Sequence, residues 1–298
     1  MPVPPKPVAP RPPELFKAGI AVIGMGRWGT SLHAALVASG HPPVETVSRL
    51  QVKRHRGADA TSVDFAHARL QAEVLWLCVP DSGIEPVVAA IVRKRPSLRG
   101  QIVVHSSGVY SSAILAEAAR AGARTASVHP MMTFPTRRPV GLTGVPFAVE
   151  AGNAVAHKFE KLVRQLGGLP FRLPAEGKAL YHAAAVMASP MLVSLAVAAR
   201  QTAMQAGLTG EHADALLEPI MLATIRNFFR RGGAQSFSGP FARGDAHTIS
   251  LHLEALQAHP FQQALYTALA GHAMDVLPVT GKRALQKALA AAKNNILS

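Results

Sequence analysis

Apolar residues recur in two different rhythms along this chain. Over the first half, short β-branched runs at 20–23, 44–47, 74–79, 102–105, 125–128 and 147–150 alternate with stretches of helical periodicity at 28–39, 84–93 and 111–121. Parallel strands need long crossover connections and are covered on both faces, so they read as short unbroken apolar runs with helices between them. The pattern therefore predicts an α/β fold with a doubly wound, mostly parallel sheet.

The rhythm changes after residue 150. A helix is predicted over 155–166, ending at Gly167-Gly168, and a short extended piece over 170–173. Beyond it the spacing is helical throughout, in segments at 176–206, 211–230, 246–258, 260–275 and 282–294. Gly207, Gly232-Gly233 and Gly281 stand at the breaks, where helix C-termini favour glycine. The expected organisation is a Pro-rich tail over 1–13, an α/β domain over 14–150 and an all-α domain over 151–298. No internal repeat is present. The longest uncharged apolar stretch, 183–199, is slightly short for a membrane span and holds Pro190 near its middle, so it is expected to be a buried helix rather than a membrane helix.

Composition narrows the function classes. Of the 298 residues 49% are hydrophobic and 16% charged, which provides for a sizeable core and excludes a disordered chain. The net charge of +14 suits nucleic acid, an anionic surface or an anionic small molecule such as a dinucleotide phosphate. Aromatics make up only 5% and no recognition motif is present, which argues against nucleic acid as a partner. The single cysteine, Cys78, cannot form an internal disulfide, so a cytoplasmic location is expected, and its apolar run marks it as a small buried hydrophobe. The opening residues carry no apolar core of the signal-peptide kind. The 13 histidines show no metal-ligand spacing, and no metal is expected.

The most informative motif is Gly24-Met25-Gly26-Arg27-Trp28-Gly29, directly after the run Ile20–Ile23 and before a helical stretch. Glycines in this spacing give a tight turn, close backbone approach to a pyrophosphate and close helix–strand packing. The helix that follows presents free N–H groups to the anion. This is the signature of a Rossmann dinucleotide site. The next strand ends in Ser48-Arg49 where an NAD site usually has Asp or Glu. A hydroxyl and a guanidinium suit a 2′-phosphate, so NADP is favoured over NAD. Lys53 and Arg54 add positive charge nearby, and Glu45 lies too early in its strand to reach the ribose. Val79-Pro80-Asp81, at the end of another strand, is expected to line the cofactor or to cap a helix.

Together, Gly24-x-Gly26-x-x-Gly29, Val79-Pro80-Asp81, His105-Ser106-Ser107-Gly108 and His129-Pro130 resemble a bacterial group that pairs a Rossmann-like NAD(P) domain with a C-terminal helical domain of unknown function. That helical domain is similar to the C-terminal domain of 6-phosphogluconate dehydrogenase. Pyrroline-5-carboxylate reductases and β-hydroxyacid dehydrogenases are more distantly similar. Tyr181-His182-Ala183-Ala184-Ala185, the segment from Ser238 to Asp245, and His252-Leu253 continue the resemblance, which spans about 17–271. Pro190 stands where the group often has Asn. The resemblance implies a homodimer built through the long helices and supplies no substrate.

For chemistry beyond the cofactor, His129 and His182 are the candidate proton donors, and Arg243 the candidate for holding an acidic substrate. His105 and Ser107 end a strand and are expected to meet the nicotinamide or to cap the next helix. Asp245 is expected to be an N-cap. These residues point to reduction of a C=O or C=N group by NADPH. No catalytic lysine or tyrosine dyad is legible, which keeps a non-catalytic NADP-binding sensor or scaffold as the alternative.

Overall fold

The computed structural model describes residues 15–48 and 62–294. It divides into two compact units, one running to Ser189 and one starting at Pro190.

In the first unit, β1 (Ile20–Ile23), α1 (Arg27–Ala38), β2 (Glu45–Ser48), β3 (Ser62–Asp64) and β4 (Val74–Leu77) are followed by α2 (Ile84–Lys94) and β5 (Ile102–His105). Then come α3 (Ala116–Arg120), β6 (Arg124–Pro130), β7 (Pro146–Ala151), α4 (Asn153–Gln165), β8 (Leu169–Arg172) and α5 (Lys178–Ala188). The strands form one sheet in the order β3-β2-β1-β4-β5-β6-β7-β8. Every neighbouring pair is parallel except β6 and β7. Strand order reverses between β1 and β4, and the crevice beyond their carboxyl ends is where open α/β sheets bind ligands.

Successive side chains of each strand face opposite sides. Ile20, Val22, Trp76 and Val104 pack with Leu32 and Leu36 of α1 and Phe159 of α4. Ala21, Ile23, Leu75, Leu77 and Val103 pack with Ile84, Val88 and Ile91 of α2 and Ala118 of α3. Burial of a side chain of Leu or Phe size stabilises by about 1.5–3 kcal/mol, so these two layers supply most of the sheet's stability. Cys78 is buried in the first layer, and burial pushes its thiol pKa up.

Several elements differ from expectation. The edge strand β3 has one apolar residue in three, too few to stand out as a run. The helix expected over 111–121 is a 3-10 turn, Ser112–Leu115, followed by the short α3. The extended piece expected in the helical domain is β8, which pairs in parallel with β7, while α4 packs on the sheet through Val155, Phe159, Leu162 and Val163. The boundary expected at residue 150 therefore falls inside the sheet.

The second unit holds α6 (Pro190–Gln205), α7 (Gly210–Arg231), α8 (Gly233–Ser236), α9 (Pro240–Arg243), α10 (Ala246–Ala255), α11 (Pro260–Val276) and α12 (Lys282–Asn294). Its core joins Ile249 and Leu253 to Ala270, Met274, Leu285 and Leu289. Asp245 caps α10 as expected, accepting from Thr248 N at 3.1 Å and Thr248 Oγ1 at 2.7 Å.

The single helix expected over 176–206 is two helices. Proline at 190 has no N–H to donate and its ring crowds the preceding turn, so α5 ends before it and α6 begins with it. Within the single chain the expected burial of this helix is not seen. No residue of α6 is buried, and in α5 only Lys178 is. By length and composition alone 175–205 is long and apolar enough to cross a membrane, and the window that meets this test has no buried residue. Leu180 and Met187 of α5, and Met191, Val193, Val197 and Met204 of α6, are exposed large apolar side chains.

Candidate active site

The turn from β1 into α1 has the geometry its glycines require. Gly24 has φ +104°, and a Cβ there would lie 2.5 Å from the Cys78 carbonyl oxygen. A Cβ on Gly29 would strike the Gly24 carbonyl, which is why helix and strand can pack so closely only with glycine at 29. Gly26 is different, because a Cβ there meets nothing within 4 Å. Gly26 is the N-cap of α1 and contributes no capping side chain. Its open face and the uncapped first turn make a cradle into which a pyrophosphate fits. Trp28 packs against Phe134 with ring centroids 5.0 Å apart, and its buried indole N–H has no partner among the described residues. Met25 packs against the adjoining core.

The neighbouring strands end around this turn. Gly24 N donates to Val47 O at 2.8 Å, which sets Ser48 beside the turn. Arg49, Lys53 and Arg54 lie outside the described residues. Glu45 is turned away from the ribose position: its carboxylate accepts from Arg69 N at 2.7 Å and Leu70 N at 2.9 Å. On the other side, Cys78 N donates to Ile23 O at 2.7 Å, and Val79 lies against Gly24. Pro80 and Asp81 follow, Pro80 as the N-cap and Asp81 as the first residue of a 3-10 turn.

A second cluster lies at the carboxyl ends of β5 and β6, where His105 and Ser127 are in register. The Ser111 carbonyl accepts from His105 Nε2 at 3.1 Å, and Ser107 N donates to His105 Nδ1 at 3.0 Å. A carbonyl can only accept, so His105 is the Nε2–H tautomer with its Nδ1 lone pair engaged. Burial, with the Lys178 charge adding to it, pulls the His105 pKa down to about 4. Ser107 Oγ accepts from Val109 N at 3.3 Å and Tyr110 N at 3.2 Å. His105 and Ser107 thus shape the turn after β5, and the Ser107 carbonyl is held inward.

That carbonyl meets a lysine. Lys178 Nζ donates to Ser107 O at 2.7 Å and to Ser127 Oγ at 2.8 Å. Lys178 is only 1% exposed. Burial lowers its pKa to about 8, against the pull of the Glu150 and Asp81 carboxylates. One turn on in α5, Tyr181 OH shares a hydrogen bond with His129 Nδ1 at 2.8 Å. Burial raises the Tyr181 pKa to about 12. Burial and the neighbouring Lys178, His182 and His105 lower the His129 pKa to about 3. The His182 ring stands edge-on to His129 with centroids 5.9 Å apart, and its buried Nδ1 has no partner among the described residues. Both imidazoles close onto Gly108, where a Cβ would lie 3.0 Å from His129 Nε2 and closer still to His182 Nδ1.

The structure therefore brings His129 and His182 together, with Ser107 beside them. Arg243 lies in the second unit, exposed at the end of α9. Sequence reasoning missed Lys178 and Tyr181 as chemical groups. Their signal was present, since a lysine three residues before a tyrosine puts both on one face of a helix, but a lysine at the head of a helix reads as a solvated charge. Among the described residues, no group of three or more His, Cys, Asp or Glu side chains could hold a metal ion.

Residues 2–130 match a Rossmann-like domain, and residues 145–273 match a domain of unknown function, DUF2520. The DUF2520 match includes β8, α5 and Lys178, so the lysine lies outside the Rossmann-like match. No curated protein matches the sequence. Among solved structures, a Bacteroides fragilis protein described provisionally as an NADP oxidoreductase is 22% identical, with a TM-score of 0.68 over 86% of this chain and 97% of its own. Protein TM1727 from Thermotoga maritima is 21% identical, with a TM-score of 0.68 over 90% and 98%. A reductive aminase from Aspergillus terreus, solved with NADPH and ethyl-5-oxohexanoate, is 18% identical, with a TM-score of 0.63 over 87% and 94%. At these identities the likeness establishes a shared fold.

Proposed function

We propose that this Rossmann-like, DUF2520-containing chain is an NADP-dependent oxidoreductase that reduces a C=O or C=N group of a small molecule. The observation that carries this reading is Lys178, a buried ammonium held by Ser107 O and Ser127 Oγ on the same sheet edge as the glycine turn. A sensor or scaffold needs the turn but has no use for such a group. That several structural neighbours were solved with NADP or NADPH supports the same choice of cofactor.

Gly24, Gly26, Arg27 and Gly29 would hold the pyrophosphate, and Ser48 with Arg49 would select the 2′-phosphate. A bound dihydronicotinamide supplies a hydride. The chain's own contribution is to orient the acceptor and manage one proton. An ammonium has three N–H donors, and Lys178 uses two on Ser107 and Ser127, leaving one for the substrate. His129, one of the two donors expected from sequence, would shape the site rather than donate, because an imidazole titrating at about 3 is not an imidazolium at neutral pH, and His182 stands edge-on to it.

We also assign the chain a homodimer, with a second copy covering the apolar helices. In the first unit Leu180 and Met187 of α5 are 79% and 64% exposed. In the second, a groove of about 280 Å³ between α6 and α7 is lined by Val193, Val197, Leu217 and Met221. Contiguous apolar surface of this kind marks an interaction face.

The test is a titration of the purified protein with NADPH and NADH, repeated on Arg49→Ala. NADPH binding that weakens about tenfold or more in the variant, as loss of one charge-assisted contact predicts, supports the assignment. Failure to bind either cofactor at millimolar concentration refutes it.

A further inference from the structure

Resting on that reductase reading, we infer that His182 is a substrate-binding residue: the turn at Gly108 fixes it as the Nε2–H tautomer, and it gives that N–H to an acceptor oxygen on the substrate other than the group reduced. The substrate class is then a carbonyl or imine compound that carries a second, carbonyl-type oxygen, as in an amide or ester.

A Cβ on Gly108 would lie 3.0 Å from His129 Nε2 and closer still to His182 Nδ1. Glycine has a hydrogen where that Cβ would stand, so a Gly108 Cα–H points at the two imidazoles and most closely at His182 Nδ1. A Cα–H donates weakly to a lone pair, whereas it would collide with an N–H. His182 Nδ1 is also buried with no hydrogen-bond partner among the described residues. His129 does not supply one, because its own Nδ1 is taken up with Tyr181 OH at 2.8 Å and its ring stands edge-on, at 87° to His182. A proton on His182 Nδ1 would therefore be a buried donor with nothing to accept it, and that penalty is larger than the net gain from an ordinary hydrogen bond. A neutral imidazole carries its one N–H on either nitrogen. Disfavoured at Nδ1, the proton sits on Nε2.

Nε2 is the end a ligand can reach. His182 is only partly buried, and of its two nitrogens Nδ1 is the one shut away. His182 follows Lys178 by four residues in α5, which puts both on one face of the helix, a turn apart. Lys178 Nζ reaches back to Ser107 O, and His182 packs on Gly108, the next residue. The two side chains thus border the same turn after β5 from successive turns of one helix, and the Nε2–H serves a different ligand atom from the one that Lys178 meets. A donor fixed in this way accepts an oxygen lone pair. It turns away a ligand that presents its own N–H at that point, because two donors would then face each other and neither would be satisfied.

The test loads the protein with NADP+, so that ketones bind without turning over, and uses three uncharged probes: butanone, pyruvamide and acetoacetamide. Nitrogen NMR of labelled histidine at pH 8, with the His182 signals assigned by their loss in His182→Gln, should show the proton on Nε2. Pyruvamide or acetoacetamide should bind about tenfold more tightly than butanone, the size of one hydrogen bond, and should shift the His182 Nε2 signal. His182→Phe should erase that preference. His182→Gln, whose amide nitrogen reaches about as far as Nε2, should keep most of it, and His182→Asn, which reaches only as far as Nδ1, should not. A residue that merely packs would not separate those two variants. A proton on Nδ1, amides that bind no better than butanone or not at all, a preference that survives in His182→Phe, or Gln and Asn variants that behave alike would overturn the inference. A protein that does not take up the cofactor fails the reductase reading instead, and the initial titration tells the two failures apart.

Discussion

Lys178 Nζ donates to Ser127 Oγ at 2.8 Å, joining the first turn of α5 to β6 across 51 positions of sequence. The same ammonium donates to the Ser107 carbonyl, so one side chain gathers the ends of two neighbouring strands. It is also the only buried residue of its helix. A group so placed costs desolvation, which a purely structural role would not repay as well as an apolar side chain would.

That cost makes stability depend on pH. Lys178 titrates at about 8 in the folded protein against an ordinary value of 10.5. Between these values the unfolded chain binds more protons, so stability rises with pH across that window. Wild type should gain on Lys178→Met between pH 8 and 10 in urea midpoint. A constant difference would count against a buried ammonium.

The histidines set the opposite edge. His105 and His129 titrate at about 4 and about 3 when folded, below their ordinary value of 6.5. Their contribution is complete above pH 6.5 and is lost as pH falls toward 3, because the unfolded chain takes up protons first. The urea midpoint should drop from pH 7 to pH 5. The drop should be smaller in a His105→Gln, His129→Gln double variant, and an equal drop would assign acid sensitivity elsewhere.

Gly108→Ala places a methyl group between two imidazoles that cannot both keep their positions. Gly108 does not have the positive φ that would add backbone strain. The expected result is a loss of about 1–3 kcal/mol from overpacking, with turnover falling by more than the stability change explains. Retained turnover at full stability would show that the His129–His182 arrangement is dispensable.

Gly29→Ala acts on the cofactor side. Its new Cβ would meet the Gly24 carbonyl, a backbone atom that cannot yield without opening the turn. NADPH affinity should fall about tenfold or more, since the cradle depends on that close packing. Calorimetry on the purified variant, with its melting curve as control, checks this.

Val193→Arg puts a charge on the apolar face of α6, where Val193 is 62% exposed in the single chain. If a second copy covers that face, sedimentation should show monomer where wild type shows dimer, because a buried unpaired charge is too costly to accommodate. Unchanged sedimentation would remove α6 from the interface.

The glycine turn, the parallel strands and the helical second half were all legible in sequence. Each depends on neighbours within a few residues: Ile20–Ile23 alternates between two covered faces, Gly24 needs a positive φ, and Asp245 caps the helix it precedes. The strand β3 was not legible, because Ser62–Asp64 is defined by pairing with β2 and not by its own composition. The extended piece that became β8, Leu169–Arg172, was legible, but its place in the sheet was not, because that is set by its pairing with β7. The break before Pro190 was visible as a helix breaker, but its consequence depended on what packed around it. Lys178 shows the limit most clearly. In sequence it is a charged residue at the start of a helix, which ordinarily means solvent. Only the tertiary structure decided that it is buried against Ser107 and Ser127, because the burial and partners of a charge are set by residues far away along the chain.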